Sequence, residues 1–271
     1  MNADLDEAGA AGRPRDLAGQ AFWRDFWNRP AGRSFSHLSF SFRTFSRLLF
    51  RYARRGTRAC EVGCGASVWL PALAMRGVEA WGIDYSEVGV EMARRQAAAL
   101  GATVTVVHGD VFDDTSLGAD AFDLVFSLGL LEHFDDSAPL ARRFRDLCRP
   151  GGYVITLVPN FAGIWGSVQQ AVDRRVYDAH RVYTPADLDR AHVEAGLRPV
   201  QPAQYFGGIG PLVVNYSALL ARLPSFVSKP MFGFVWTVQQ TLCWGMLPLP
   251  RAMRNPASIA AHIVGVYRRD P

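Results

Sequence analysis

One glycine-rich loop constrains this chain more than any other stretch. The apolar run Ala59–Val62 ends at Gly63–Cys64–Gly65, after which helix-forming residues begin. Glycine tolerates positive φ and carries no Cβ, so a ligand can lie directly against the backbone where the strand ends. Nineteen residues after Gly65, a second strand-like segment ends at Asp84, whose carboxylate can accept both hydroxyls of a ribose. Together these features predict a strand–loop–helix site for a nucleoside.

The loop departs from the dinucleotide-binding fingerprint. That fingerprint would place a third glycine at position 68, where this chain has Val68, and here an acid, Glu61, precedes the first glycine. The resulting pattern, Glu-x-Gly-x-Gly, resembles the first motif of class I S-adenosylmethionine-dependent methyltransferases. The resemblance continues in register from about Thr57 to Tyr205. It is carried further by three segments: His108-Gly109-Asp110-Val111, Leu128 to Phe134, and the turn Arg149-Pro150-Gly151-Gly152.

The resemblance implies an α/β fold. We expect a doubly wound, Rossmann-like sheet of seven strands with the last strand antiparallel, an N-terminal helical cap and a helical insertion before the last strand. The expected organisation is a disordered leader over residues 1–19, a basic and aromatic cap over 20–56, and a methyltransferase domain over 57–271. Residues 207–257 form the insertion, which we expect to be a helical lid.

The resemblance also implies S-adenosyl-L-methionine as the cofactor. Within the family's pattern, the glycine loop contacts the methionine side, the acid after the second strand holds the ribose, and the segment after the third strand receives the adenine. Transferred onto this chain, the cofactor-binding residues are Glu61, Gly63, Cys64, Gly65, Asp84, Tyr85, Asp110, Val111, Ser127 and Leu128. No metal is expected.

Two histidines lie on segments that face the predicted crevice. His133 follows the fourth strand. His180 is the first residue of the sequence His-x-x-Tyr-Thr-Pro, which resembles a motif of small-molecule methyltransferases. Since an acceptor of the hydroxyl type must lose a proton, we favour His180 as general base and His133 as a positioning residue. A purely structural role for His180, bracing the helix that Thr184 caps, is the alternative.

The segment from Phe22 to Arg58 is basic and aromatic, with nine arginines against the single acid Asp25. One interpretation is a helix that packs Phe42, Phe45, Leu49 and Tyr52 on the sheet while its arginines face water. The other is a surface for an anionic substrate or lipid headgroups. Nucleic acid is not expected, because the chain carries no recognisable nucleic-acid-binding module.

The insertion is poor in charge and rich in large aromatic residues. Between positions 207 and 250 only Arg222 and Lys229 are charged, and Met231–Leu249 is nineteen residues without charge. That length approaches a membrane helix, but two glutamines and Pro248 argue against a stable span. A lid over an apolar substrate, a peripheral contact with the bilayer and a subunit interface are the remaining interpretations.

Composition indicates a compartment. The four cysteines show no zinc-like pairing, and the N-terminus carries no signal-peptide pattern, so we expect a cytoplasmic protein that can also touch the inner membrane face. We therefore expect a methyltransferase for a small, apolar or anionic, lipid-like or natural-product-like acceptor in small-molecule biosynthesis, acting at oxygen. A non-catalytic S-adenosylmethionine-binding partner protein is the alternative, and a homodimer is one of the oligomeric states left open.

Overall fold

A computed structural model describes residues 13–27, 39–220 and 222–271. Seven strands form one sheet in these residues, and Phe122–Leu128, for example, is a largely apolar segment of the kind that parallel sheets bury on both faces. They are β1 Arg58–Val62, β2 Glu79–Asp84, β3 Thr105–His108, β4 Phe122–Leu128, β5 Cys148–Pro159, β6 Arg198–Ile209 and β7 Ala260–Arg268.

The strand order across the sheet is β3-β2-β1-β4-β5-β7-β6. The neighbours from β3 to β5 pair in parallel, and β7 runs antiparallel to both β5 and β6. This arrangement confirms the predicted doubly wound sheet with an antiparallel last strand. The strand order reverses between β1 and β4, and in such sheets ligands bind at the carboxyl ends of the strands beside that reversal.

Eleven α-helices are present in the described residues. They are α1 Gly19–Trp27, α2 Phe40–Tyr52, α3 Trp69–Ala74, α4 Glu87–Ala99, α5 Ala138–Leu147, α6 Ile164–Val172, α7 Arg174–Asp178, α8 Pro185–Glu194, α9 Ser217–Leu220, α10 Ser225–Gly245 and α11 Arg251–Arg254. Side-chain caps start α4 and α8, the latter at the predicted position Thr184. The Ser86 side chain accepts the Gly89 N–H at the start of α4, and Thr184 forms a capping box with Asp187 at α8.

Helix α2 packs on the sheet as the first interpretation of the basic segment predicts. Phe42, Phe45 and Leu49 are buried in the core, and Phe45 stacks edge to face on Trp69. Arg47 faces solvent. The apolar stripe of α2 therefore closes one side of the sheet.

The segment predicted as a disordered leader differs from that expectation where it is described. Residues 1–12 lie outside the described residues, as does the stretch 28–38 of the predicted cap. From Arg13 onward the chain contacts the body: Asp16 forms a β-bridge with Phe134, and the Leu17 N–H donates to the His133 carbonyl at 2.7 Å. Residues 13–27, which we call the N-terminal strap, lie along the carboxyl ends of the strands.

The insertion is helical, and its longest helix turns its polar residues inward. The buried residues of α10 are Gln239, Gln240 and Cys243, and Gln240 accepts the Phe40 N–H at 2.6 Å. The apolar side chains instead face solvent, with Phe226 78% and Phe234 70% exposed. No helix in the described part of the chain has the length and the apolarity that crossing a bilayer requires.

Candidate functional site

The glycine loop adopts the conformation for which its residues are suited. Gly63 and Gly65 have φ of +70° and +41°, values that side chains with a Cβ rarely adopt. The N–H groups of Gly63 and Cys64 both donate to the Ile83 carbonyl, at 2.9 and 3.1 Å, which ties the loop to the end of β2. The loop therefore lies at the carboxyl edge of the sheet, beside the point where the strand order reverses.

Asp84 lies where the sequence predicts a ribose contact, and the loop itself holds it. Its Oδ2 accepts the Gly65 N–H at 2.7 Å, and its Oδ1 accepts the Ser86 N–H at 2.7 Å. Burial raises its pKa, while the two backbone bonds oppose that shift. Since each carboxylate oxygen offers two lone pairs, both oxygens keep the capacity to accept a ligand hydroxyl.

Glu61 is buried beneath the loop, with 2% of its surface exposed. It accepts the Ser67 hydroxyl, and Ser67 in turn accepts the N–H groups of Trp69 and Leu70 at the start of α3, each at 3.1 Å. Burial raises the pKa of Glu61 to about 8, so its carboxyl is mostly protonated at neutral pH. Ser67 is not among the predicted site residues, although a serine two residues before the first helical residue is a typical signal of a helix start.

The predicted adenine residues converge at the neighbouring strand ends. Val111 is buried, and the Phe112 N–H donates to Asp110 Oδ1 at 2.9 Å. The other Asp110 oxygen forms an ion pair with Arg13 of the strap. The Tyr85 hydroxyl donates to Asp16 of the same strap at 2.7 Å. The structure therefore brings these residues together, but under cover of the N-terminal strap.

The predicted amino-acid end lies on β4. The Ser127 hydroxyl is fully buried and has no hydrogen-bond partner among the described atoms, so it can donate to or accept from a ligand. Leu128 is half-buried at the end of the strand, where Gly129 turns the chain with φ of +67°. The Leu130 side chain then lies over Gly63. Buried polar atoms without partners are unusual, which marks Ser127 as a candidate contact.

His133 and His180 come from separate segments and meet, with ring centroids 4.3 Å apart. His133 Nδ1 lies 2.7 Å from the Ala179 carbonyl oxygen, and His180 Nδ1 lies 2.5 Å from that of Val176. A carbonyl accepts only, so each Nδ1 carries the hydrogen, and each Nε2 keeps its lone pair. The pair predicted from sequence is thus assembled in one place.

Glu132 joins the histidine pair, a residue that the sequence analysis missed. One of its carboxylate oxygens lies 4.0 Å from His133 Nε2, and the other is buried without a partner among the described atoms. Its position next to His133 in the crevice segment is the signal that could have identified it. A buried acid that lacks a partner for one oxygen is a frequent feature of functional sites.

Burial controls the protonation of this group. It lowers the pKa of His133 to about 4 and that of His180 to about 3, where the charge of His133 adds to the effect, and it raises the pKa of Glu132 to about 8. At neutral pH both imidazoles are therefore neutral, and the carboxyl is mostly protonated. Neutral imidazole is the form in which a histidine can accept a proton.

Glu132, His133 and His180 are also the only three side chains, within the described part of the chain, grouped closely enough to suggest a metal site. The 4.0 Å between Glu132 and His133 ligand atoms exceeds the roughly 3.5 Å that separates neighbouring ligands around an ion with bonds of about 2.1 Å. As it stands, the group is arranged more loosely than a bound metal requires.

Aromatic rings surround the histidine pair. Trp23 of the strap meets His133 edge to face at 4.8 Å, and Phe161 lies 5.0 Å from His180 between ring centroids. A cavity of about 460 Å³ exists elsewhere, at the opposite edge of the sheet where β2 and β3 begin, with Met75 and Thr105 in its lining. It contains none of the predicted site residues. The described surroundings of the two histidines are thus largely aromatic.

The comparison with protein families decides the relationship. A family described as a methyltransferase domain matches residues 37–201, which is more than half of the chain. This chain belongs to that methyltransferase family. It is an S-adenosylmethionine-dependent methyltransferase, and the methyltransferase domain includes β1 to β5, both histidines and every predicted cofactor residue.

Curated methyltransferases are about 30% identical to this chain over the aligned residues. The chain is 30% identical over 171 residues to a ubiquinone biosynthesis O-methyltransferase of Aromatoleum aromaticum, covering 60% of this chain and 72% of the relative. It is 32% identical over 150 residues to the enzyme of the same name from Alkalilimnicola ehrlichii, covering 52% and 61%. The match to the second relative thus spans under two thirds of its length.

Solved structures support the fold independently of sequence. The methyltransferase in a complex with the Trm112 methyltransferase activator of Haloferax volcanii superposes with a TM-score of 0.58 at 18% identity. The match covers 96% of this chain and 99% of that one. At such low identity, the similarity bears on the fold of this methyltransferase alone.

Proposed function

We propose that this methyltransferase transfers the methyl group of S-adenosylmethionine to an oxygen atom of a small, apolar, lipid-like acceptor. The observation that carries the proposal is the meeting of the donor motif and the histidine pair at one edge of the sheet. Asp84 and Asp110 stand at the ends of β2 and beyond β3, and His133 and His180 stand beyond β4. The relatives named ubiquinone biosynthesis O-methyltransferase support transfer to oxygen.

We assign each residue around the glycine loop to the part of S-adenosylmethionine that it would contact. In this proposal Asp84 accepts the ribose hydroxyls, Asp110 accepts the adenine amine and the Tyr85 ring covers the adenine. The Gly63–Gly65 backbone and the unpartnered Ser127 hydroxyl contact the methionine end. Glu61 and Cys64, both buried, shape the loop from below.

The reaction is an in-line displacement in which the bond from sulfur to the methyl carbon breaks as the bond from oxygen to that carbon forms. Sulfur keeps the electron pair, so the products are S-adenosylhomocysteine and the methylated acceptor. Since the sulfonium is already a good leaving group, the protein acts mainly by aligning the two reactants and excluding water.

The acceptor's proton passes to His180 Nε2, and His133 positions the acceptor. Burial makes both imidazoles weak bases. An acceptor oxygen that develops negative charge beside His180 offsets this cost, because an opposite charge at short distance favours the imidazolium. The neutral Glu132 carboxyl, with one unpartnered oxygen, is suited to hold the acceptor by a hydrogen bond.

The insertion supports an apolar acceptor and a place for it. Strand β6 ends at the same edge as β1 and β4, so the insertion leaves the sheet beside the site. We propose that residues 207–257 form a lid over the site. We also propose that the exposed apolar side of α10 contacts a bilayer surface on the cytoplasmic side. The four cysteines are free, which fits a reducing compartment.

Donor binding tests the proposal directly. Isothermal calorimetry of the full chain with S-adenosylmethionine and with S-adenosylhomocysteine should give saturable binding. Asp84→Asn should weaken it about 10- to 150-fold, because a charge-assisted bond worth about 1.5–3 kcal/mol is lost. Glu79→Gln, an exposed acid at the opposite end of β2, is the matched control and should bind as the natural chain does.

Turnover is measured with hydroxylated aromatic acceptors bearing apolar tails, following formation of S-adenosylhomocysteine. His180→Gln should lower turnover while donor affinity is retained. Binding of NAD in place of the sulfonium donor would refute the assignment of the groove. Full turnover in both His180→Gln and His133→Gln would remove the histidine pair from the mechanism.

A further inference from the structure

The N-terminal strap, residues 13–27, contacts the same residues to which we assign the donor. We propose that the strap is an autoinhibitory element that occupies the donor groove, so that S-adenosylmethionine binds only after the strap has moved away. This inference rests on the proposed function. It is carried by contacts at the adenine end, at the glycine loop and at the histidine pair.

At the adenine end, the strap supplies charges that satisfy the donor-binding acids. Arg13 forms an ion pair with Asp110 and donates to Asp113 at 2.9 Å, and its guanidinium lies 5.5 Å from the centre of the Phe112 ring. The guanidinium is therefore bound to the same carboxylate that we assign to the adenine amine. The bound guanidinium competes with the adenine amine for Asp110.

At the glycine loop, a side chain fills the space that the glycines leave open. Trp27 Cζ2 lies 2.3 Å from the point where a Cβ on Gly65 would stand, and the indole nitrogen lies 3.3 Å from the corresponding point on Gly89. The indole thus packs directly on the loop backbone. A ligand can use Gly65 only by approaching its backbone closely. Trp27 and the donor therefore exclude each other.

Backbone and aromatic contacts hold the strap between these two points. Leu17 and Asp16 pair with the chain at His133 and Phe134, and Asp16 accepts the Tyr85 hydroxyl at 2.7 Å. The rings of Trp23 and Trp27 stack at 6.4 Å, while Trp23 also contacts His133. One short segment thus contacts both the donor groups and the acceptor-side histidine.

The energetic balance makes the strap displaceable. Helix α1 has no fully buried residue, and the ion pair of Arg13 is partly open to solvent, with exposed side-chain fractions of 36% and 28%. Solvated ion pairs contribute little, and segments with few buried contacts open at low cost. A ligand that binds only the open state then has an apparent affinity equal to its intrinsic affinity multiplied by the fraction of chains that are open.

The test is donor affinity in full-length variants of the strap. Trp27→Ala should tighten binding of S-adenosylhomocysteine by about tenfold, since it empties the space over Gly65 and raises the open fraction. Arg13→Ala should tighten it by up to about fivefold, the size expected for a solvated ion pair. The matched control is Arg24→Ala on the exposed side of α1, which should leave affinity unchanged.

A second measurement reports the strap itself. Trypsin cleaves after exposed arginines, so cleavage after Arg15 and Arg24 should become faster when S-adenosylhomocysteine saturates the full chain. Slower cleavage would mean that the strap closes over the bound ligand, and it would overturn the proposal. Weaker binding by Trp27→Ala would do the same, since the indole would then belong to the ligand site.

The outcomes separate this inference from the proposed function. Equal affinities in the natural chain and in all three variants would overturn autoinhibition and leave the methyltransferase proposal intact. Absence of binding in every form would refute the assignment of the groove and the strap's role with it. Thermal unfolding of each variant, followed in parallel, identifies any variant whose affinity changes because its fold is damaged.

Discussion

At the scale of single residues, the site depends on burial more than on charge pairs. Glu61, Glu132, His133 and His180 all have pKa values moved toward the neutral form, with burial as the largest cause in each. These four groups are therefore mostly uncharged at neutral pH. A sulfonium donor brings a positive charge into such a place, and the acceptor's developing oxyanion cancels it during the reaction.

The stability of the fold should reflect His133, which is 3% exposed. Its pKa in the fold is about 4, whereas 6.5 is its ordinary value. Between pH 6.5 and 4, His133 binds a proton in the unfolded chain but not in the folded chain. The contribution of neutral His133 to the free energy of unfolding is therefore complete above pH 6.5. It is lost as the pH falls toward 4. Each such histidine contributes a slope of about 1.4 kcal/mol per pH unit in that window.

We therefore predict that His133→Gln loses less stability on acidification. Urea unfolding at pH 5, 6 and 7 should show a smaller pH slope in the variant, by about 1.4 kcal/mol per unit. Glu132, with its pKa raised to about 8, acts in the opposite sense, since its contribution is lost as the pH rises from 4.5 to 8. It is present in both proteins, so the difference reports His133. Identical slopes would contradict the prediction.

At the scale of elements, α10 is the least ordinary part of the molecule. Its inward side carries Gln239 and Gln240, which accept the N–H groups of Leu212 and Phe40, while aromatic and aliphatic side chains point outward. Exposed apolar surface of this extent marks a contact with another molecule. The sequence from residue 195 to 269 contains no acid, and Arg222, Lys229 and Arg251 flank or interrupt the apolar face. Such charge favours anionic lipid headgroups.

We predict that α10 mediates association with anionic vesicles. The double variant Phe226→Ser/Phe234→Ser should co-sediment less with phosphatidylglycerol-containing vesicles. Its unfolding free energy should stay within about 0.5 kcal/mol, because both side chains are largely exposed. Met75→Ser is the matched control, as it removes an apolar side chain that is 67% exposed at the opposite edge of the sheet.

Two results would set the bilayer contact aside. The first is unchanged sedimentation of the double variant, and the second is a change of oligomeric state instead. Conversion of a dimer to a monomer by the same two substitutions, seen in analytical ultracentrifugation, would identify the apolar face as a subunit interface. Association that weakens as salt is raised would point to the basic residues as a contributor.

At the scale of the whole molecule, the sheet gathers the proposed site residues at one edge. The parallel strands β1 to β5 place their carboxyl ends together, and α1, the helices α6 and α7, and the insertion are connected at that same edge. The two core layers lie on opposite faces of the sheet, with Phe45 and Leu49 in one and Phe144 and Tyr267 in the other. Covering the faces leaves only the edge open to ligands.

The resemblance to a known family predicted the seven-stranded sheet with its antiparallel last strand, whereas the residues by themselves determined the strand before the glycine loop, the loop itself and the helix caps. These features depend on residues close in the chain: an apolar run, a glycine that accepts positive φ, a serine that caps a helix. Local patterns of this kind predict local structure, because the interactions they encode form within a few residues. His133 and His180 were named from motifs in the same way.

Only the tertiary structure decided which distant residues meet. Glu132 is next to His133 in the chain, but only the fold brings the two to His180. Arg13 reaches Asp110 across 97 positions and Trp27 packs on Gly65, and nothing near either residue in the chain encodes its partner. The exposure of the apolar face of α10 was also decided by the tertiary structure, because the sequence of an apolar helix is the same whether the helix is buried or exposed. Partners at such distances are selected by the packing of the whole fold, a sum of contacts that no short stretch contains.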